Sequence, residues 1–265
     1  MAEYTHGQHP TVTNSYLWRN AENSAAYALE EMRPGRSLLD VGCGPGSITV
    51  DLARRVAPGR VTAVDASAEA VDQARATAAA AGVDNIDFLV GDIHGLDLPD
   101  DTFDVVHAHQ VLQHVADPVR ALAEMGRVAG PGGVVAACDS DYSAMHWYPR
   151  LPELDAWMEL YQRVARANGG EPDAGRHMLA WAHEAGFTDV TYVAEVWNHS
   201  APERRAWWGG MWSRRILESA VGSRAVEAGF ATQADLEAIS AGWARWSEHP
   251  DGVFVVPRGA ILCRV

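Results

Sequence analysis

The sequence predicts an α/β fold, a mostly parallel sheet with helices on both faces. Two observations carry that prediction. Through residues 37–139, short apolar runs alternate with longer helix-like stretches, the order required by parallel strands joined through right-handed crossovers. The turns between them carry glycine, proline and capping residues where strands and helices have to end.

Taken in order, "SLLDV" is a buried strand and "SITVDLARRVA" a helix. "RVTAVDA" is a strand, followed by the Ala-rich helix "SAEAVDQARATAAAAG", closed by Gly82. "IDFLVGD" and "TFDVVHAH" are strands. "DPVRALAEMGRVAG" is a helix with Asp117 as N-cap and Pro118 at its first position, and "GPGG" turns its end into the strand "VVAACD". After Asp139 the pattern changes. "LPELDAWMELYQRVARANGG" is an added helix, "AGRHMLAWAHEAGF" a helix ended by Gly186, and "TDVTYVAEVW" a strand. A long helical stretch spans residues 201–249, and "GVFVVPRGAILCRV" is a terminal strand. Ahead of the sheet, "TNSYLWRNAENSAAYAL" reads as a helix with mixed faces. Nine of the ten tryptophans follow Asp139, so the second half builds an aromatic layer the first half lacks.

Composition narrows the function. The 265 residues carry 21 Lys and Arg against 35 Asp and Glu, a formal charge of −14. That balance repels phosphate backbones and argues against nucleic acid. Arg54-Arg55, Arg204-Arg205 and Arg214-Arg215 are isolated pairs, not a basic patch. No run approaches the roughly 20 apolar residues of a membrane helix, and "MAEYTHGQHP" lacks the basic and apolar regions of a signal peptide. Cys43, Cys138 and Cys263 are far apart and form no CxxC, so neither a disulfide framework nor a zinc site is expected. The expectation is a cytoplasmic protein with no membrane partner. The sequence is silent on oligomeric state.

The loop Gly42-Cys43-Gly44-Pro45-Gly46 lies between the first strand and the first helix, and Asp65 ends the second strand 19 residues after Gly46. Glycine admits the tight turn and lets backbone N–H groups approach a ligand; a carboxylate at the next strand end can accept hydrogen bonds from ribose hydroxyls. The spacing is GxGxG, whereas dinucleotide sites prefer GxGxxG. Asp40, two residues before Gly42, would repel a pyrophosphate and suit a cofactor carrying positive charge.

"LLDVGCGPGSIT" resembles the first motif of class I S-adenosylmethionine (SAM) methyltransferases, and "VTAVDAS" their second-strand motif. "FLVGDIHGLDLPDDTFDVVHAHQVLQHVADP" and "ALAEMGRVAGPGGVVAACD" resemble the regions that follow. The similarity covers roughly residues 15–140 and is nearest to the ubiquinone/menaquinone-type small-molecule enzymes. It implies a Rossmann-like, seven-stranded, mostly parallel sheet, with residues 1–36 as an N-terminal helical segment and 37–200 with 250–265 as the SAM-binding core; the helical stretch 201–249 matches no general motif of the family and is read from its own pattern and its place before the last strand as an inserted cap.

The resemblance also implies roles for single residues. The backbones of Gly42, Cys43, Gly44 and Gly46 would meet the methionine end of SAM, with Asp40 near its amino group. Asp65 would hold the ribose, Ala66 would lie beside the adenine, Asp92 near the adenine amino group and Ile93 on its ring. His109 would approach the methionine portion, and Gln110 and His114 the rim of the acceptor pocket. Arg19, with Tyr16 and Asn23 on the N-terminal helix, could close over the cofactor; Arg19 suits its carboxylate.

His107, His109 and His114 also form the densest histidine group, but they fall where this fold needs its fourth strand end, so no metal is expected. His109, His114 and His146 are candidate general bases, used only if the acceptor must lose a proton. Asp139, Asp141, Tyr142, His146 and Trp147 follow the fifth strand and could line the acceptor side, although the aspartates could equally cap turns. Trp208 and Trp212 share a helical face with Met211 and Ile216 nearby, a stripe that reads either as core or as a lid over a flat acceptor. The reading is therefore a SAM-dependent methyltransferase acting on a small molecule at N, O or C, natural-product or quinone-like. The alternatives are a SAM-binding protein that transfers no methyl, serving as a scaffold or in a SAM-assisted rearrangement, and an NAD-dependent dehydrogenase. Arsenite methylation is disfavoured for want of clustered thiolates.

Overall fold

The computed structural model describes Tyr16 and residues 18–265. Eight strands form one sheet: β1 (Leu38–Val41), β2 (Val61–Asp65), β3 (Ile86–Val90), β4 (Phe103–His109), β5 (Ala129–Ser140), β6 (His146–Tyr148), β7 (Asp189–Asn198) and β8 (Val253–Arg264). The first five lie parallel in the order β3-β2-β1-β4-β5. β8 runs antiparallel to β5, and β7 pairs antiparallel to β8. The eighth strand is the departure from the expected seven: β6 is a three-residue strand pairing with Val253–Val255 of β8, beyond the part of β8 that β5 covers.

Helices cover both faces because the strand residues are apolar on both. Leu38, Val105 and Ala136 face α2 (Ser47–Val56) and α3 (Ala68–Ala80), in a cluster with Leu52, Val56 and Ala74. Their neighbours Leu39, Val106 and Val135 face α4 (Pro118–Val128) and α6 (Ala174–Glu184), with Leu122, Met125 and Met178. This alternation is the two-residue period of a strand buried on both sides. The caps are those the sequence implies: Asp117 accepts from Arg120 N at 2.9 Å, with Pro118 in the first turn, and Ser67 accepts from Ala70 N.

Two helical expectations change. Of the N-terminal helix, the structure has one turn, α1 (Ala21–Ser24), then a 3₁₀ turn at Ala26–Ala28; residues 13–15 and 17 lie outside the described residues. Asn20 and Asn23 bond each other's backbone in a capping box, and such short polar side chains favour ends over helix interiors. The stretch 201–249 divides into α7 (Pro202–Glu218), α8 (Ala220–Glu227) and α9 (Gln233–Glu248). Ser219 is extended between the first two, and Gly229, at φ +67°, precedes the Thr232 capping box of the third.

A third core is aromatic. Trp208 and Trp212 of α7, Trp243 and Trp246 of α9 and Phe254 of β8 pack with Trp157 and Tyr161 of α5 (Pro152–Ala167). α5, grouped with the sheet from sequence, thus shares its core with α7–α9. Because β8 is antiparallel to β5, with Ser140 opposite Arg258, the first residues of β8 project past the carboxyl end of β5. The aromatic layer therefore sits over the carboxyl edge of the sheet. Among the described residues no helix is long and apolar enough to cross a membrane.

Two outcomes follow. Trp157 is fully buried, with its ring centroid 4.7 Å from Trp212 and 5.0 Å from Trp243; Trp157→Ala should cost about 3–5 kcal/mol in urea denaturation. His199 is fully buried and stacks on Trp208 at 4.2 Å. Burial, followed by the charge of Arg204, lowers its pKa from 6.5 to about 3. Between those values the unfolded chain binds the extra proton, so this group costs stability as pH falls below 6.5. In His199→Phe the loss of stability from pH 6 to 4 should be shallower by about 1.4 kcal/mol per pH unit, measured by urea denaturation at each pH.

Candidate active site

The loops after β1, β2, β3 and β4 open onto one cavity of about 500 Å³. Its wall begins at the glycine loop. Gly42 has φ +70°, and a Cβ there would stand 2.4 Å from Val111 Cγ2, so the turn passes under the loop after β4 only as glycine. At Gly44, φ is +52° and a Cβ would meet no atom within 4 Å; the backbone there faces open space. Cys43 lines the cavity too, its thiol pKa pushed well up by burial and then by Asp40 and Asp65. Gly46 is not part of the wall; it abuts Ala74 of α3.

Asp65 ends β2 and joins two loops. Its Oδ2 accepts from Gly44 N and its Oδ1 from Ser67 N, each at 2.9 Å. Each oxygen keeps further acceptor capacity, and the residue lines the cavity. Burial raises its pKa, opposed by those backbone N–H groups. Asp40 is 3% exposed; its carboxylate accepts from the Thr49 hydroxyl at 2.6 Å and lies 2.8 Å from His107 Nδ1. The β1–β4 register sets Asp40 directly beside His107. At the far end Ala66, Asp92, Ile93 and His94 line the wall. Asp92 accepts from His94 N at 2.9 Å, the main reason its pKa is lowered.

His109, at the end of β4, and His114 also line this cavity. Burial, then Arg19, Arg258 and His107, pushes His109 well below 6.5. Burial and then Arg19 take His114 to about 3, so both rings are neutral at pH 7. Between them Gln110 holds a left-handed backbone at φ +59°, costly for a non-glycine residue. Its N–H donates to Cys138 O at 2.8 Å and its Oε1 accepts from Gln113 Nε2 and the Ser140 hydroxyl.

An inner cavity of about 40 Å³ adjoins the first. Tyr16, Arg19, Gln110 and His114 line both. Arg19 lies over the rings of Tyr16 and Trp197, 4.4 and 5.3 Å from their centroids. Tyr142, Trp208 and Trp212 complete the inner wall with Met211 and Arg215. Tyr142 stacks on Tyr161 at 4.1 Å, and burial pushes its pKa up to about 12.

Besides Gly46, the expected residues Asn23, Asp139, Asp141, His146 and Trp147 line neither cavity. Asp139 is fully buried but lines neither cavity; it accepts from Leu112 N at 3.1 Å and Gln113 N at 3.3 Å. It braces the turn carrying Gln110 and His114, and burial raises its pKa to about 7. His146 is exposed on β6 and lines neither cavity, because the 3₁₀ turn Tyr142–Ala144 carries the chain out along β8. Among the described residues no three His, Cys, Asp or Glu are grouped to hold a metal. Sequence reasoning passed over Gln113, Ser140, Trp197 and Arg215. Only Arg215 carried a signal: it continues the helical stripe of Trp208, Met211 and Trp212.

Comparison with known proteins agrees with this architecture. Residues 33–200 match the family described as Methyltransferase domain. An uncharacterized methyltransferase of Schizosaccharomyces pombe is 33% identical over 267 residues, 98% of this chain and 95% of that protein. A demethylmenaquinone methyltransferase of Symbiobacterium thermophilum is 40% identical over 187 residues, 62% of this chain and 73% of that one. Among solved structures, the YcgJ protein of Bacillus subtilis superposes with a TM-score of 0.57 at 20% identity, covering 90% of this chain and 98% of that one. With a glycine loop and a strand-end aspartate on the carboxyl edge of a parallel sheet, the chain belongs to the methyltransferase-domain family and is a class I SAM-dependent methyltransferase.

Proposed function

We propose that the larger cavity holds SAM and that the chain moves its methyl group to a small-molecule acceptor reaching the join of the two cavities. The observation that carries this is the Asp65 carboxylate, tied to Gly44 N on a wall whose glycine backbone is open to ligand. The residues fit the group. The backbones of Gly42, Cys43 and Gly44 would take the methionine end, Asp40 its amino group and Arg19 its carboxylate. Asp65 would take the ribose hydroxyls; Ala66, Asp92 and Ile93 would surround the adenine. Gln110, His114, Tyr142, Trp208 and Trp212 would face the acceptor, and α7–α9 would serve as its cap.

SAM, when bound, supplies a methyl group already activated by the neighbouring sulfonium. The chain's own task is to align and to exclude water. Neutral His109 and His114 add no positive charge beside a cationic cofactor, which a protonated pair would repel. A ring whose pKa is about 3 is a weak base, so alignment carries more of the rate here than proton removal by His114. The buried tryptophans at the inner wall keep bulk water from the join.

Calorimetric titration should give micromolar binding of SAM and S-adenosylhomocysteine and none of NAD(H). Asp65→Ala should weaken S-adenosylhomocysteine by about 2–3 kcal/mol, roughly 30- to 150-fold in dissociation constant. Unchanged affinity in a folded variant would refute the ribose assignment.

A further inference from the structure

On the face of the sheet that packs against α2, one row of side chains runs Ala136, His107, Asp40 and Ala63, from β5 through β4 and β1 to β2. Two residues earlier on the same face the row is Val134, Val105, Leu38 and Val61. The polar pair therefore stands between alanines, with an apolar row behind it. Asp40 is 3% exposed, and His107 and Thr49, which sits in the first turn of α2, are fully buried.

Both carboxylate oxygens of Asp40 are held. Oδ2 accepts from the Thr49 hydroxyl at 2.6 Å, and Oδ1 lies 2.8 Å from His107 Nδ1. An ionised carboxylate only accepts, so Nδ1 carries the ring's proton in this pair. The other ring nitrogen, Nε2, is buried without a hydrogen-bond partner, a cost that an apolar side chain in the same place would not carry. Packing alone therefore does not account for a histidine at 107; its bond to Asp40 does. Asp40 reaches the wall of the larger cavity beside Val41 and Gly42, while His107 and Thr49 line neither cavity.

We propose that His107 is a positioning residue for the cofactor: through Oδ1 of Asp40 it fixes the carboxylate that receives the SAM amino group, with Thr49 as the second hold. This rests on the cofactor reading above and adds a residue that touches no ligand. A carboxylate free to turn about its side-chain dihedrals would have to be ordered when the ammonium arrives. One pinned at both oxygens meets it already oriented, with lone pairs left to accept. The ring acts through one hydrogen bond, as the outer partners of a metal's ligands do. The histidine then matters only to ligands that carry the amino group. The adenosine end of the cavity is walled by Asp65, Ala66, Asp92 and Ile93 and is built without it.

The test is calorimetric titration of the full chain with two ligands, S-adenosylhomocysteine and 5′-methylthioadenosine. The second keeps the adenosine and the thioether but lacks the amino and carboxylate groups. His107→Leu should weaken S-adenosylhomocysteine about five- to thirtyfold and leave 5′-methylthioadenosine unchanged. His107→Asn, whose Nδ2 stands where Nδ1 stood, should restore most of that affinity. With Asp40→Asn already in place, His107→Leu should cost no further S-adenosylhomocysteine affinity, because the ring acts only through Asp40. If His107→Leu does not fold, Thr49→Val makes the same comparison from the other oxygen, and should weaken S-adenosylhomocysteine alone. Failure of the parent chain to bind S-adenosylhomocysteine would overturn the cofactor reading and this inference with it. With that binding intact, equal losses for the two ligands, or no loss for either, would overturn the positioning role alone. So would additive losses in the double variant, or a His107→Asn variant as weak as His107→Leu.

Discussion

Parallel pairing of β1 with β2 and β4 brings every strand-to-helix loop to one edge of the sheet. Nothing else in the site could stand where it does without that constraint. The loop after β1 supplies open glycine backbone, the loop after β2 starts from Asp65, and the turn after β4 carries Gln110 and His114. The register goes further: it sets Asp40 against His107 and His109 against Cys138, so Asp40 and His109 reach the cavity wall from adjacent strands.

Three acids hold that edge in shape, Asp40 and Asp139 buried and Asp65 partly so, each satisfied differently. Asp40 is held by a hydroxyl and an imidazole, Asp65 by two loop N–H groups, Asp139 by the N–H groups of the turn after β4. A buried carboxylate without such partners would be expensive. With them, the loops after β1 and β2 are tied to each other, and the turn after β4 is tied to the end of β5. The strained φ of Gln110 persists because its N–H, its amide oxygen and the turn behind it are all held.

The sheet and its crossovers were legible in the sequence because local signals agreed: a two-residue period, Asp117 before Pro118, Gly82 after an alanine-rich run. Asp65 was legible for the same reason, a strand-end acid at a set distance from a glycine turn. Other features were hidden because they depend on distant partners. Asp139 looks the same in sequence whether it faces a ligand or caps a turn; only the approach of Leu112 N decides. The short β6 exists because β8 overshoots β5 and leaves an edge to pair. Trp208 and Trp212 proved both core and wall: one side of each packs in the aromatic cluster, and both line the inner cavity.

β8 has a consequence for how the molecule holds together. Its end, from Arg258 on, is hydrogen-bonded to β5 within the sheet, while Phe254, near its start, lies among Trp157, Trp208, Trp243 and Trp246. One continuous strand therefore belongs to two hydrophobic cores. The aromatic helices are not an appendage that can fray while the sheet persists. Loosening them pulls on a strand the sheet needs, so the two cores share one cooperative fate.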